Sequence, residues 1–114
     1  MNFELKTRQK GDVTVIDFYG PITLGVASSV IRNAVREVLE MGSRKILLNL
    51  QNVGYIDSYG IGEMVAGYSS VRNAGGSLKL LSLNHRVKEM LAITNLLPIF
   101  DVQEDEARGV LSFS

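Results

Sequence analysis

Apolar and polar residues alternate from the start of the chain. Phe3, Leu5 and Thr7 are separated by Glu4, Lys6 and Arg8, and after Lys10-Gly11-Asp12 the run Val13-Thr14-Val15-Ile16-Asp17-Phe18 largely alternates again. A period of two marks strands with one covered face, and the tight Gly-Asp connection makes the pair a hairpin. Gly20-Pro21 ends the second strand, because proline has no N–H to give to a ladder and glycine tolerates the turn. From Ala27 the period changes: Ala27, Val30, Ile31, Ala34, Val35 and Val38 fall three and four apart with Arg32, Asn33, Arg36 and Glu37 between them, the pattern of an amphipathic helix. Met41-Gly42 closes it, glycine being the residue that most easily takes the left-handed conformation at a helix end.

Ile46-Leu47-Leu48-Asn49-Leu50 is short and nearly all apolar, which reads as a strand covered on both faces or central in a sheet. After Asp57-Ser58 a second helix is predicted with Ile61, Met64, Val65, Tyr68 and Val71 on one face, ended by Asn73-Ala74-Gly75-Gly76. Leu78, Leu80, Leu81 and Leu83 make a further strand; Asn84 caps a third helix carrying Val87, Met90 and Leu91, and Pro98 stops further helix. Ile99-Phe100-Asp101-Val102 reads as a last short strand. The acidic group Glu104, Asp105, Glu106 suits the positive end of a final helix bearing Ala107, Val110 and Leu111. Strands separated by helices lie parallel, so the prediction is an α/β domain with a mixed sheet of about five strands and about four helices. With no repeat, linker or low-complexity tract, residues 1–114 read as one unit.

Composition narrows the function classes. Twelve Lys and Arg balance twelve Asp and Glu, so no net field draws the molecule to a nucleic-acid backbone or an anionic membrane. The absence of cysteine removes disulfides and thiolate chemistry, and with a single histidine it makes a transition-metal site a poor expectation. No run approaches the roughly 18 apolar residues of a membrane span or resembles a secretory signal, and the expected location is cytoplasmic.

The most informative stretch is Asn52-Val53-Gly54-Tyr55-Ile56-Asp57-Ser58-Tyr59-Gly60-Ile61-Gly62, which leaves a buried strand and enters a helix. Asp57 or Ser58 can cap the first turn, whose N–H groups lack intrahelical partners. Glycines at 60 and 62 each cost about 1 kcal/mol relative to alanine inside a helix, a cost that a purely structural helix start seldom carries twice. Either the helix packs tightly on the sheet at this point, or the glycines leave a flat surface with one exposed hydroxyl for another molecule to approach.

The motif Asp57-Ser58-Tyr59-Gly60-Ile61-Gly62 resembles the hallmark of the STAS domains of bacterial anti-sigma factor antagonists: Asp-Ser or Asp-Thr, any residue, Gly, a hydrophobic residue, Gly. Asn49-Leu50-Gln51-Asn52-Val53, Gly75-Gly76 and Leu96-Leu97-Pro98-Ile99-Phe100 also stand where that family has similar residues. The resemblance implies a partner switch without enzymatic activity or cofactor. An anti-sigma factor with serine kinase activity either holds its sigma factor or binds the unphosphorylated antagonist; Ser58 matches the phosphorylated serine, and a metal-dependent serine phosphatase restores it. The implied partner surface is Asp57, Tyr59, Gly60, Ile61 and Gly62 with the neighbouring loop Ile22, Thr23 and Leu24. Thr23 stands about where many members carry a carboxylate. STAS domains also serve as scaffolds in sensory assemblies and as accessory subunits of lipid transporters, which remains the alternative.

Other chemistries fit less well. A dinucleotide fingerprint needs a third glycine where Val65 stands, and no Gly-Lys-Ser/Thr phosphate loop occurs. A hydrolase would need a base near Ser58; His85, the single histidine, opens the next helix on the same expected sheet end, but Gly-x-Ser-x-Gly is absent. Tyr55, Tyr59 and Tyr68 could suggest a base-stacking surface, but the neutral net charge removes the electrostatic half of such a site. Of these, Tyr68 is expected in the core and Tyr59 at an interface.

Overall fold

The structure, a computed structural model, describes residues 3–25 and 29–114. Strand β1 (Glu4–Lys10) pairs antiparallel with β2 (Val13–Tyr19) around Gly11, whose φ of 63° is the left-handed value the tight turn demands. Helix α1 (Val30–Glu40) leads to β3 (Lys45–Asn52), α2 (Ser58–Asn73), β4 (Ser77–Leu81), α3 (His85–Ile93), β5 (Val102–Gln103) and α4 (Glu106–Leu111). The sheet order is β1-β2-β3-β4-β5, parallel from β2 onward, so the predicted mixed five-stranded α/β fold is the observed one. Ala27, the first position of the predicted apolar stripe, lies outside the described residues.

The period of two in the strands sorts their side chains onto two cores. Ile16, Phe18, Ile46, Leu48 and Leu50 face the larger one, which takes Ile31 and Val35 from α1, Met64 and Val71 from α2, and Val87 and Leu91 from α3. Val13, Val15, Leu47 and Leu81 face the other side and are covered by Val110 and Phe113 at the C-terminal end. The continuous apolar run of β3 is therefore apolar because both of its faces are covered. Tyr68, expected in the core, is half-buried at its border and packs edge-on to the buried ring of Phe100 with centroids 5.4 Å apart.

Two elements differ from the sequence reading. The last strand is Val102–Gln103 instead of residues 99–102: Pro98 sits in a turn closed by the Ile99 N–H on the Leu96 carbonyl, which leaves Ile99 exposed and drops Phe100 into the core as a loop residue. On α4 the buried position is Gly109, while Ala107 and Leu111 face outward. An alanine side chain at 109 would stand 3.3 Å from both Gln103 and Leu47, so the short helix lies on the sheet through its glycine.

Where α4 ends its cover, the sheet face turns polar. Arg8 on β1 grips Asp17 on β2 through Nε and Nη2 at 2.6 and 2.9 Å and Glu106 on α4 through Nη1 and Nη2 at 3.0 and 2.8 Å, while Asn49 donates to Asp17 at 2.7 Å. Hydrogen bonds from Arg8 hold both carboxyl groups below their ordinary pKa, against the opposing effect of burial. A carboxyl group depressed by folding contributes stability that is fully present above its unfolded pKa and lost as pH falls through the folded one. Stability is thus expected to fall as pH drops below the ordinary carboxylate range near 4, and Glu106→Gln should flatten that acid limb; urea unfolding at pH 7 and across the acid range measures it.

Candidate functional site

At the C-terminal end of the parallel strands the chain leaves β3, runs through Val53 to Ile56 and enters α2 at Ser58. Two interactions fix this crossing. Ile56 forms an isolated parallel bridge with Ile22, in which the Ile22 N–H reaches the Tyr55 carbonyl at 3.0 Å and the Asp57 N–H reaches the Ile22 carbonyl at 3.3 Å. The Asn84 amide, which caps α3 by accepting the Val87 N–H at 2.9 Å, also donates to the Gly54 carbonyl at 3.1 Å. The loop after β2, the turn before α2 and the head of α3 therefore form one edge of the molecule.

Asp57 is the helix cap. One carboxylate oxygen accepts the Gly60 N–H at 2.9 Å, the usual capping bond to the third helical residue; the other accepts the Leu24 N–H at 3.2 Å. A single side chain thus closes the first turn of α2 and ties the 22–24 loop to it. Ser58, the first helical residue, is exposed. Leu24, Tyr59 and Gly62 are exposed beside it, Asp57 and Thr23 are half-buried, and Ile22, Gly60 and Ile61 are buried.

The two glycines, alike in sequence, sit in different surroundings. A Cβ at position 60 would lie 2.5 Å from the Ile22 carbonyl oxygen and 2.5 Å from Ile56 Cγ1. The body that approaches Gly60 is the chain's own loop. A Cβ at position 62 would meet nothing within 4 Å. Of the eight positions expected around Ser58 to touch a partner, then, Ile22, Gly60 and Ile61 brace the surface from beneath, and the remaining five offer it.

His85, considered as a base for Ser58, instead points outward: its side chain is 88% exposed, with Nε2 3.9 Å from Glu89 on the same helix. Among the described residues no group of three or more histidine, cysteine or acidic side chains could hold a metal ion, and no helix is long and apolar enough to cross a membrane. Sequence reasoning missed Glu63. It is buried on α2 and forms an ion pair with Arg32 of α1 at 2.8 Å. The available signal was its place on the stripe Gly60, Glu63, Met64, Gly67, Val71, which is the buried face of the helix.

A family model described as STAS domain matches residues 4–109. The anti-sigma-B factor antagonist of Bacillus subtilis (strain 168) is 30% identical over 110 residues, covering 96% of this chain and 99% of that protein. The crystal structure of an anti-sigma factor antagonist from Mycobacterium paratuberculosis superposes with a TM-score of 0.86, covering 98% of this chain and 94% of that one, at 15% identity. The Bacillus cell fate determinant SpoIIAA in its phosphorylated form gives a TM-score of 0.74 over 97% of this chain and 100% of that one, at 17% identity. At these identities the two structures speak for the fold.

Proposed function

This chain belongs to the STAS domain family, and from that premise we propose that it is an anti-sigma factor antagonist switched at Ser58. Unphosphorylated, it binds an anti-sigma factor with serine kinase activity and so frees the sigma factor; phosphorylation of Ser58 ends the binding, and a serine phosphatase restores it. The observation that carries the reading is the exposed Ser58 at the head of α2, ringed by exposed Leu24, Tyr59 and Gly62 above buried, closely packed Ile22, Gly60 and Ile61. The likeness to an anti-sigma-B factor antagonist over nearly the whole of both chains supports this role over that of a scaffold or a transporter subunit.

The physics of the switch favours an intact domain and a lost partner. Phosphate brings about −1.5 to −2 charge. At the head of α2 the helix dipole favours that charge by roughly 0.3 to 1 kcal/mol, so the host fold tolerates it. Against a docked surface the same group is desolvated without a counter-charge, and Asp57 at its side adds repulsion to any acidic contact.

Incubating the protein with ATP and the kinase-type anti-sigma factor from the same genome, followed by mass spectrometry, tests the reading. The tryptic fragment 46–72 holds Ser58, Ser69 and Ser70, so fragment ions must place the phosphate. Phosphate on Ser58 is the expected result; phosphate confined to Ser69 or Ser70, or none, overturns it.

A further inference from the structure

Two carboxylates, the cap of α2 and a residue in its second turn, tie the described segments on either side of residues 26–28 to this helix. On the earlier side Asp57 takes the Leu24 N–H. On the later side the carboxylate of Glu63, only 2% exposed, lies 2.8 Å from the Arg32 guanidinium and accepts the Arg32 backbone N–H over a longer 3.4 Å. Arg32 is the third residue of α1. Ser29, the residue before that helix, has a left-handed φ of 62° and makes no side-chain capping bond, and the first turn of α1 carries no acid of its own. Glu63 therefore supplies from α2 an anion and an acceptor that, among the described residues, neither Ser29 nor the first turn of α1 provides.

Stability alone does not account for a carboxylate here. The two helices already meet closely one turn further on, where a Cβ at Gly67 would stand 3.3 Å from Val35. A buried ion pair is often no better for stability than an apolar side chain of similar volume. What the pair does provide is registration. Arg32, with its side chain 52% exposed, and Leu24 are both tied to the helix that begins at Ser58.

We propose that Glu63 is a positioning residue: together with Asp57 it makes the head of α2, the 22–24 loop and the first turn of α1 a single body, so that Leu24 and Arg32 meet the partner at a fixed offset from Ser58. The claim that this edge meets a partner rests on the function proposed above; the clamp itself does not.

Glu63→Gln and Glu63→Met separate the two, the methionine keeping the packing volume while removing both acceptors. Amide solvent exchange measured by NMR at Leu24, Arg32 and, as an interior reference, Leu48 of β3 reports the clamp. The expected result for Glu63→Met is exchange about tenfold faster at Arg32 and Leu24 with Leu48 unchanged, the size of one charge-assisted hydrogen bond, and a smaller acceleration for Glu63→Gln, whose amide oxygen still accepts. Affinity for the kinase that phosphorylates Ser58 should fall about tenfold, even where Glu63→Met unfolds no earlier than the unsubstituted protein. Unchanged exchange at Leu24, or equal acceleration at all three amides, overturns the clamp. Faster exchange at Arg32 and Leu24 with undiminished affinity supports the clamp and overturns the placement of the partner on this edge.

Discussion

Phosphorylated protein is expected to bind the anti-sigma kinase at least 10²-fold more weakly than unphosphorylated protein and the Ser58→Asp variant more weakly by a smaller factor, while Ser58→Ala binds as the unphosphorylated form does and is not released when ATP is added. The factor follows from desolvating an unpaired charge against a docked surface, which costs on the order of 3 to 5 kcal/mol. The same substitutions are expected to leave the fold in place. Ser58 is the first residue of α2 and already exposed, so an aspartate there meets the positive end of the helix and adds a few tenths of a kcal/mol to stability. Titration calorimetry with the kinase gives the affinities, and thermal unfolding of the isolated protein gives the second quantity. An aspartate variant that binds normally would remove the switch; one that binds weakly only because it has unfolded would show in the melting curve.

That contrast depends on a surface whose parts were unequally legible in the sequence. The hairpin, the two-sided strand β3 and the cap Asn84 come from local rules, alternation, continuous apolar runs and short polar side chains before a helical period, which also narrow the cap of α2 to Asp57 or Ser58. Local rules fail where a distant residue decides. The chain around Pro98 has the residues of a strand at Ile99 to Val102, yet the turn it makes with Leu96 spends the first of them before pairing with β4 can begin. Helix α4 is too short for its apolar period to identify a face, and contact with Leu47 and Gln103 selects Gly109. Glu63 falls on the stripe that α2 buries, but its partner Arg32 emerges only when α1 is laid beside it.

The glycines of the motif show the same limit most sharply, and they give the second large effect. Gly60→Ala is expected to destabilise the protein by about 1 to 3 kcal/mol or more, because the new methyl group meets a backbone carbonyl at Ile22 that is held by its own bond from Asp57 and cannot swing aside like a side chain. Gly62→Ala should do the opposite. It lies inside α2, nothing stands within 4 Å of the added carbon, and the helix gains roughly 0.5 to 1 kcal/mol from the replacement, a rise of a few degrees in melting temperature for a domain of this size. Position 62 follows Ser58 by four residues, so the two share one helix face, a turn apart. A bare backbone there has a cost in stability and no partner within the fold; what it leaves open is the approach to the Ser58 hydroxyl. Gly62→Leu should therefore fold at least as firmly as the unsubstituted protein and yet bind the kinase at least tenfold more weakly, with slower phosphorylation of Ser58. Calorimetric melting and a kinase titration of the three variants separate the roles. If Gly62→Leu binds and is phosphorylated like the unsubstituted chain, the partner docks away from this face and the flat surface beside Ser58 has no part in recognition.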